Sequence, residues 1–186
     1  MNQTIKEWKV LESEYLVRRP WLTARRDRLE LPDGRIIPEY YVLEYPDWVN
    51  VIAITKDGQF VMERQYRHAA RKISLELPCG VMEEGETPLE AAQRELLEET
   101  GFGGGQWKKL MELSPNPSAM SNMTHCFLAI GVEKSAEQHL DETEEWNVIH
   151  QNLIYKSAQY MVTKEADTIL LCLESLKCVL LKKTYE

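Results

Sequence analysis

GVMEEGETPLEAAQRELLEETGF, residues 80–102, carries glutamates at positions 83, 84, 86, 90, 95, 98 and 99, in a chain whose formal net charge is already −8. Its centre reads as a helix with both ends marked. Thr87 caps, Pro88 suits the first helical position, and Glu90 closes a capping box with Thr87. Gly101 supplies a left-handed C-cap. Leu89, Ala92 and Leu96 recur at helical spacing and form the expected buried stripe. At about 100° per residue, Glu95, Glu98 and Glu99 share a neighbouring face, with Glu99 nearest its apolar edge.

A solvated, Glu-rich surface helix is the ordinary alternative. Two details weigh against it. Glu95 and Glu99 are a like-charge pair four residues apart, which costs a helix a few tenths of a kcal/mol, roughly, and the residue four on from Glu95 is no cation. Arg94 relieves only Glu98. Glu83, Glu84 and Glu86 then add an acidic loop ahead of the acidic face, and carboxylates gathered in this way are the donors that hard divalent cations take. Mg²⁺, or Mn²⁺ in its place, is the expected counter-charge.

The rest of the chain sets bounds on that reading. Its 186 residues, 44% hydrophobic and 28% charged, suit one soluble domain with a small extension. No apolar run is long enough to span a bilayer, and the opening MNQTIKEWKV lacks the pattern of a secretory leader, so a cytoplasmic protein is expected. Cys79, Cys126, Cys172 and Cys178 lack the close pairing of a zinc site or disulfide framework and read as reduced. The acidic balance argues against nucleic acid and against anionic membrane surfaces as partners. It also repels any phosphate-bearing substrate unless cations intervene.

YLVRR, RDRLEL and IIPEYYVLEY, punctuated by Pro20-Trp21 and by Pro32-Asp33-Gly34, predict a small antiparallel sheet over residues 1–45. Within residues 46–186, WVNVIAIT and QFVMERQYR flank an Asp57-Gly58 turn as a hairpin. ISLELP precedes the helix, WKKLMEL, THCFLAIGVE and EEWNVIHQNL follow it as strands, and SAQYMVTKEADTILLCLESLKCVLLKK closes with one or two helices. The expected class is a mixed α/β layered domain.

Gly80, Glu86, then Arg94-Glu95-Leu96-Leu97-Glu98-Glu99-Thr100-Gly101-Phe102 resembles the Nudix box of the Nudix hydrolase family; only Phe102 departs mildly, an aromatic where an aliphatic residue is usual. The resemblance implies an α/β/α sandwich with a mixed sheet, in which this loop and helix bind Mg²⁺ and cleave a nucleoside diphosphate joined to another group. It assigns Glu95 and Glu99 as metal ligands, Glu98 in support, and the Cys79 backbone carbonyl as a further ligand. Arg94 would orient the carboxylates and Glu86 would pair with it. A diphosphate repels both nucleophile and protein, so cations must neutralise it, polarise its oxygens and acidify a water.

Glu63-Arg64-Gln65-Tyr66-Arg67, Leu75-Glu76-Leu77-Pro78 and Pro117 are similar to the ADP-ribose pyrophosphatase and nucleoside diphosphate sugar branch of that family. In that branch Arg67, with Arg64, would contact the diphosphate or terminal ribose, although a strand-end arginine is also often merely exposed. The general base would lie on a loop after the box, which makes Glu144 the first candidate and Glu142 the second. Ser114-Pro115-Asn116-Pro117-Ser118 stands where the branch often has a Ser-Pro-Gly loop, and the sugar is therefore left open. The extension would exchange between subunits of a homodimer and line the base pocket, with Trp21 for stacking and Arg28 toward phosphate, unless these side chains simply serve core and surface. Two other readings keep the box: hydrolysis of nucleoside triphosphates or dinucleotide polyphosphates, and nucleotide sensing without turnover.

Overall fold

WVNVIAIT holds nearly continuous apolar residues, the signature of a strand covered on both faces. In the computed structural model, which describes residues 5–139 and the backbone of the strand Trp146–Asn152, it occupies the middle of the larger sheet. The chain divides into two compact units: residues up to Asp47 with Leu113–Met123, and Trp48–Glu112 with the residues from Thr124 onward.

In the first unit, β1 (Lys9–Arg19), β2 (Leu22–Glu30) and β3 (Ile36–Glu44) form an antiparallel meander in the order β1-β2-β3. Arg19 pairs with Leu22, so Pro20 and Trp21 alone make the first turn. The second turn closes through the Gly34 N–H, which donates to the Leu31 carbonyl at 2.9 Å, with Gly34 at φ 84°. Inside the sheet, the buried Asp27 accepts from Ser13 and from Arg25, and Arg25 also bonds Glu44. The segment Leu113–Met123 is tied to β3 by the Leu43 N–H donating to the Ala119 carbonyl at 2.7 Å and by Tyr40 Oη donating to the Ser118 carbonyl at 2.5 Å.

The second unit is a mixed sheet with one described helix on its face. Its strands are β4 (Trp48–Thr55), β5 (Gln59–Arg67), β6 (Lys72–Glu76), β7 (Cys79–Val81), β8 (Phe102–Gly103), β9 (Gln106–Leu113), β10 (Thr124–Lys134) and β11 (Trp146–Asn152). The main path runs β11-β5-β4-β10-β8, with β6 on β5, β7 on β4 and β9 on β10. The β4–β10 ladder is parallel, while β4–β5, β4–β7, β5–β6, β5–β11 and β8–β10 are antiparallel. The helix α1 (Pro88–Thr100) packs Ala91, Ala92 and Leu96 against Val49, Val51, Ala53, Phe127 and Ala129.

Three expectations are revised here. The hairpin of β4 with β5 is brief, because the strands pair at Ala53↔Val61 and Ile54↔Phe60 and then part, β4 taking β7 and β5 taking β6. The short strands β7 and β8 flank the helix in stretches to which the sequence assigns no element; backbone pairing, which leaves no side-chain periodicity in two or three residues, makes them. The buried face of α1 is turned from Leu89, 39% exposed, toward Ala91, Ala92, Leu96, Glu99 and Thr100. Two alanines let the helix lie close to the sheet, and that orientation takes Glu99 inside. The expected closing helices lie outside the described residues.

Candidate active site

The helix start is the one its residues dictate. Thr87 Oγ1 accepts from the Glu90 N–H, the Glu90 carboxylate accepts from the Thr87 N–H at 2.8 Å, and Pro88 opens the first turn. At the other end Gly101 adopts φ 73°, and its N–H returns to the Leu97 carbonyl at 2.8 Å. A helix fixed at both ends holds its carboxylates in a set direction.

Arg94 organises them. Its Nε and Nη2 donate to the two oxygens of Glu86 at 2.7 and 2.9 Å, Nη2 also to the Val81 carbonyl at 3.0 Å, and Nη1 to Glu95 at 2.9 Å and Glu98 at 3.1 Å. A guanidinium has five N–H donors, and five acceptors surround this one. The Arg94 hydrogen bonds, aided by the Glu83 N–H and opposed by burial, bring the Glu86 carboxyl from 4.5 down to about 2. Arg94 itself is raised, chiefly by Glu86. One cation thus serves three carboxylates at once, Glu86, Glu95 and Glu98.

The helix meets β7 at the point where a side chain is missing. Gly80 pairs with Val49 across β4 and β7, which sets it beneath α1, and a Cβ on Gly80 would fall on the Glu95 carboxylate. Glu99, only 6% exposed, accepts from the Cys79 N–H at 3.0 Å, while Glu98 stays half-exposed. The Cys79 thiol is pushed well up by burial and then by Glu99, so it stays protonated and lends the site its backbone.

A second group sits beside this one. Arg67 donates through Nε and Nη2 to the Glu76 carboxylate and feels the charge of Glu99. Glu63 is buried and stands opposite Glu76 across the β5–β6 pair. Residues 63, 65 and 67 share one face of β5, so Arg64 points from the other and is exposed. That period of two was readable in the sequence, and it would have separated Arg64 from Arg67 and added Glu63 to the face of Arg67.

The remaining candidates belong to other parts of the chain. Trp21, 73% exposed at the β1–β2 turn, Arg28, exposed on β2, and Pro117, exposed in Leu113–Met123, all belong to the first unit. Glu142 and Glu144 lie outside the described residues.

Among the described residues, no three His, Cys, Asp or Glu side chains form a ready-made metal cage. The donors nonetheless fit a hard cation: Glu95, Glu98 and Glu99 are carboxylates on one helix, and the space a Cβ would fill at Gly80 is taken by Glu95. Among the described residues, too, no helix is long and apolar enough to cross a membrane.

Comparison with known proteins agrees with this geometry. The NUDIX domain matches residues 44–169, and the nucleoside diphosphate sugar hydrolase N-terminal domain matches residues 8–43. The chain belongs to the NUDIX family. It is 33% identical to the methanol dehydrogenase activator of Bacillus methanolicus over 159 residues, 85% of each chain. It is also 33% identical to the ADP-ribose pyrophosphatase of Bacillus subtilis (strain 168) over 117 residues, 62% of this chain and 63% of that one. A crystal structure of an ADP compounds hydrolase superposes with a TM-score of 0.85 at 22% identity over 98% of both chains, so the fold is shared.

Two outcomes follow from the Glu95 and Glu86 contacts. Gly80→Ala must displace the Glu95 carboxylate, a flexible end that yields at little cost to the fold; calorimetry should show weakened divalent-cation binding with a nearly unchanged urea midpoint, and unaltered binding would contradict the placement. The depressed Glu86 carboxyl makes its pairing with Arg94 fully stabilising above pH 4.5 and progressively lost as pH falls toward about 2. Urea midpoints should therefore drop across that window in the wild type and drop less steeply in Glu86→Gln.

Proposed function

We propose that this chain hydrolyses the diphosphate linkage of ADP-ribose or a related nucleoside diphosphate sugar, with Mg²⁺, to a nucleoside monophosphate and a sugar phosphate. The observation that carries the reading is the helix face itself: Glu95 against Gly80, Glu99 on the Cys79 N–H and Glu98 half-exposed, with Arg94 bonded to Glu95 and Glu98. Family membership and the match to a nucleoside diphosphate sugar hydrolase N-terminal domain support the substrate class, as does the similarity to a relative named ADP-ribose pyrophosphatase.

Glu95 and Glu99, supported by Glu98 and the Cys79 carbonyl, would hold the cation. When bound, it neutralises the diphosphate and polarises the phosphoryl oxygens. Arg94 keeps the carboxylates turned to one side and limits their mutual repulsion. Arg67 offers a planar fork to a phosphate group, a geometry that suits bidentate recognition. Water attacks one phosphorus as the bond to the bridging oxygen breaks; Glu144, or Glu142 in its stead, takes the proton. Residues 1–45 form the dimerisation and base-binding extension of a cytoplasmic homodimer, with Trp21, Arg28 and Pro117 shaping the pocket, and residues 46–186 form the hydrolase domain. Turnover is favoured over sensing because every carboxylate of the acidic loop and helix is in place.

Hydrolysis of a nucleoside diphosphate sugar panel with Mg²⁺ in ¹⁸O-labelled water tests substrate and attack site together; inactivity across the panel, with nucleoside triphosphates cleaved, would transfer the protein to the other substrate class. Glu99→Gln should lose cation binding and turnover together, by orders of magnitude, whereas Glu144→Gln should keep cation affinity and lose rate. Undiminished rates in either variant would remove that residue from its role. Light scattering should return the mass of a dimer, and a monomer mass would count against the exchanged extension.

A further inference from the structure

Arg67 closes β5 and Glu76 closes β6, yet in the register of that pair they are not partners: Arg67 stands opposite Lys72 and Glu76 opposite Glu63. Four residues of strand, roughly 13 Å, separate their positions along the sheet. Their side chains meet all the same. Nε of Arg67 donates to both Glu76 oxygens, at 3.0 and 3.1 Å, and Nη2 to one of them at 2.5 Å. The arginine therefore lies back along its strand, toward Glu76 and within range of the Glu99 charge. Glu76 is itself anchored, with a hydrogen bond from Ser74 and the charge of Lys72 beside it. Glu76 occupies the Nε edge of the guanidinium, while Nη1 makes no hydrogen bond among the described residues.

We propose that Glu76 is a positioning residue for the diphosphate: it turns Arg67 so that the Nη1 edge, rather than the whole mobile side chain, is offered to the anion beside the α1 carboxylates. The inference rests on the diphosphate reading above. A long side chain at the end of an exposed pair of strands would otherwise lose much rotamer freedom on binding, and Glu76 removes that freedom beforehand. The arrangement has a cost, since a carboxylate beside Arg67 also lowers its pull on an anion. A competing role for Glu76, as a group the substrate must displace, predicts the opposite sign for its removal.

Calorimetric binding of ADP-ribose with Ca²⁺ as the cation separates these cases without depending on turnover. Glu76→Ala should weaken binding about tenfold, the order expected for a lost charge-assisted hydrogen bond. Arg67→Ala should weaken it at least as much, and the double variant should bind no worse than Arg67→Ala alone. Unchanged or tighter binding by Glu76→Ala, or losses that add in the double variant, would overturn the proposal. Urea midpoints check folding, and Glu76→Gln, which keeps one acceptor oxygen, carries the same cycle if the alanine variant unfolds. Wild-type protein that binds ADP-ribose but does not hydrolyse it would defeat the functional reading while leaving this cycle decisive; wild-type protein that does not bind it would defeat both.

Discussion

A single guanidinium makes the acidic helix tolerable. Glu86, Glu95 and Glu98 all accept from Arg94, and the Val81 carbonyl accepts a further N–H, so the cation joins the loop before α1, the strand β7 and two turns of the helix. Without it, three carboxylates would stand within reach of one another in a partly desolvated place, where repulsion is screened far less than in water. Lysine could not substitute, because its three donors on one nitrogen cannot address groups spread around a plane. What Arg94 leaves over is as telling. Glu99 takes a backbone N–H instead, and Glu95 is shared between the arginine and the hollow at Gly80, so the helix keeps negative charge on the side facing β7.

The sheet serves this arrangement by coming apart. β4 and β5 run together for two residue pairs and then diverge, and the chain that fills each new edge is continuous: β6 on β5, Leu77-Pro78, then β7 on β4. The Pro78 carbonyl, accepting from the Val51 N–H at 2.9 Å, pins the crossing. Glu63 and Glu76 on one side and Cys79 and Gly80 on the other are thereby set close by backbone pairing alone.

The helix was legible because its information is local. Cap, proline, stripe and terminal glycine lie within fifteen residues of one another, and each acts on its neighbours. Its rotation was less legible: Leu89 has the hydrophobicity of a core residue, but Ala91 and Ala92 decide how closely the helix packs, and that depends on strands elsewhere in the chain. Arg67 was found and Glu76 was not, for a related reason. Their contact spans a diagonal across two strands, and pairing register, which spacing in sequence does not reveal, sets it. The two-residue strand β8 and the three-residue strand β7 carry no period at all, so only their hydrogen-bonded partners define them.

The parallel ladder of β4 with β10 has a consequence for how the chain matures. Trp48 pairs with Thr124, so the partner edge is synthesised 76 residues later. At about 5–20 residues per second on a ribosome, that delay is several seconds, during which an apolar strand has one open side. Its other edge is filled sooner, by β5 and β7. Asp47 before the strand and Lys56 and Asp57 after it are the kind of flanking charges that discourage such a segment from joining a neighbouring nascent chain.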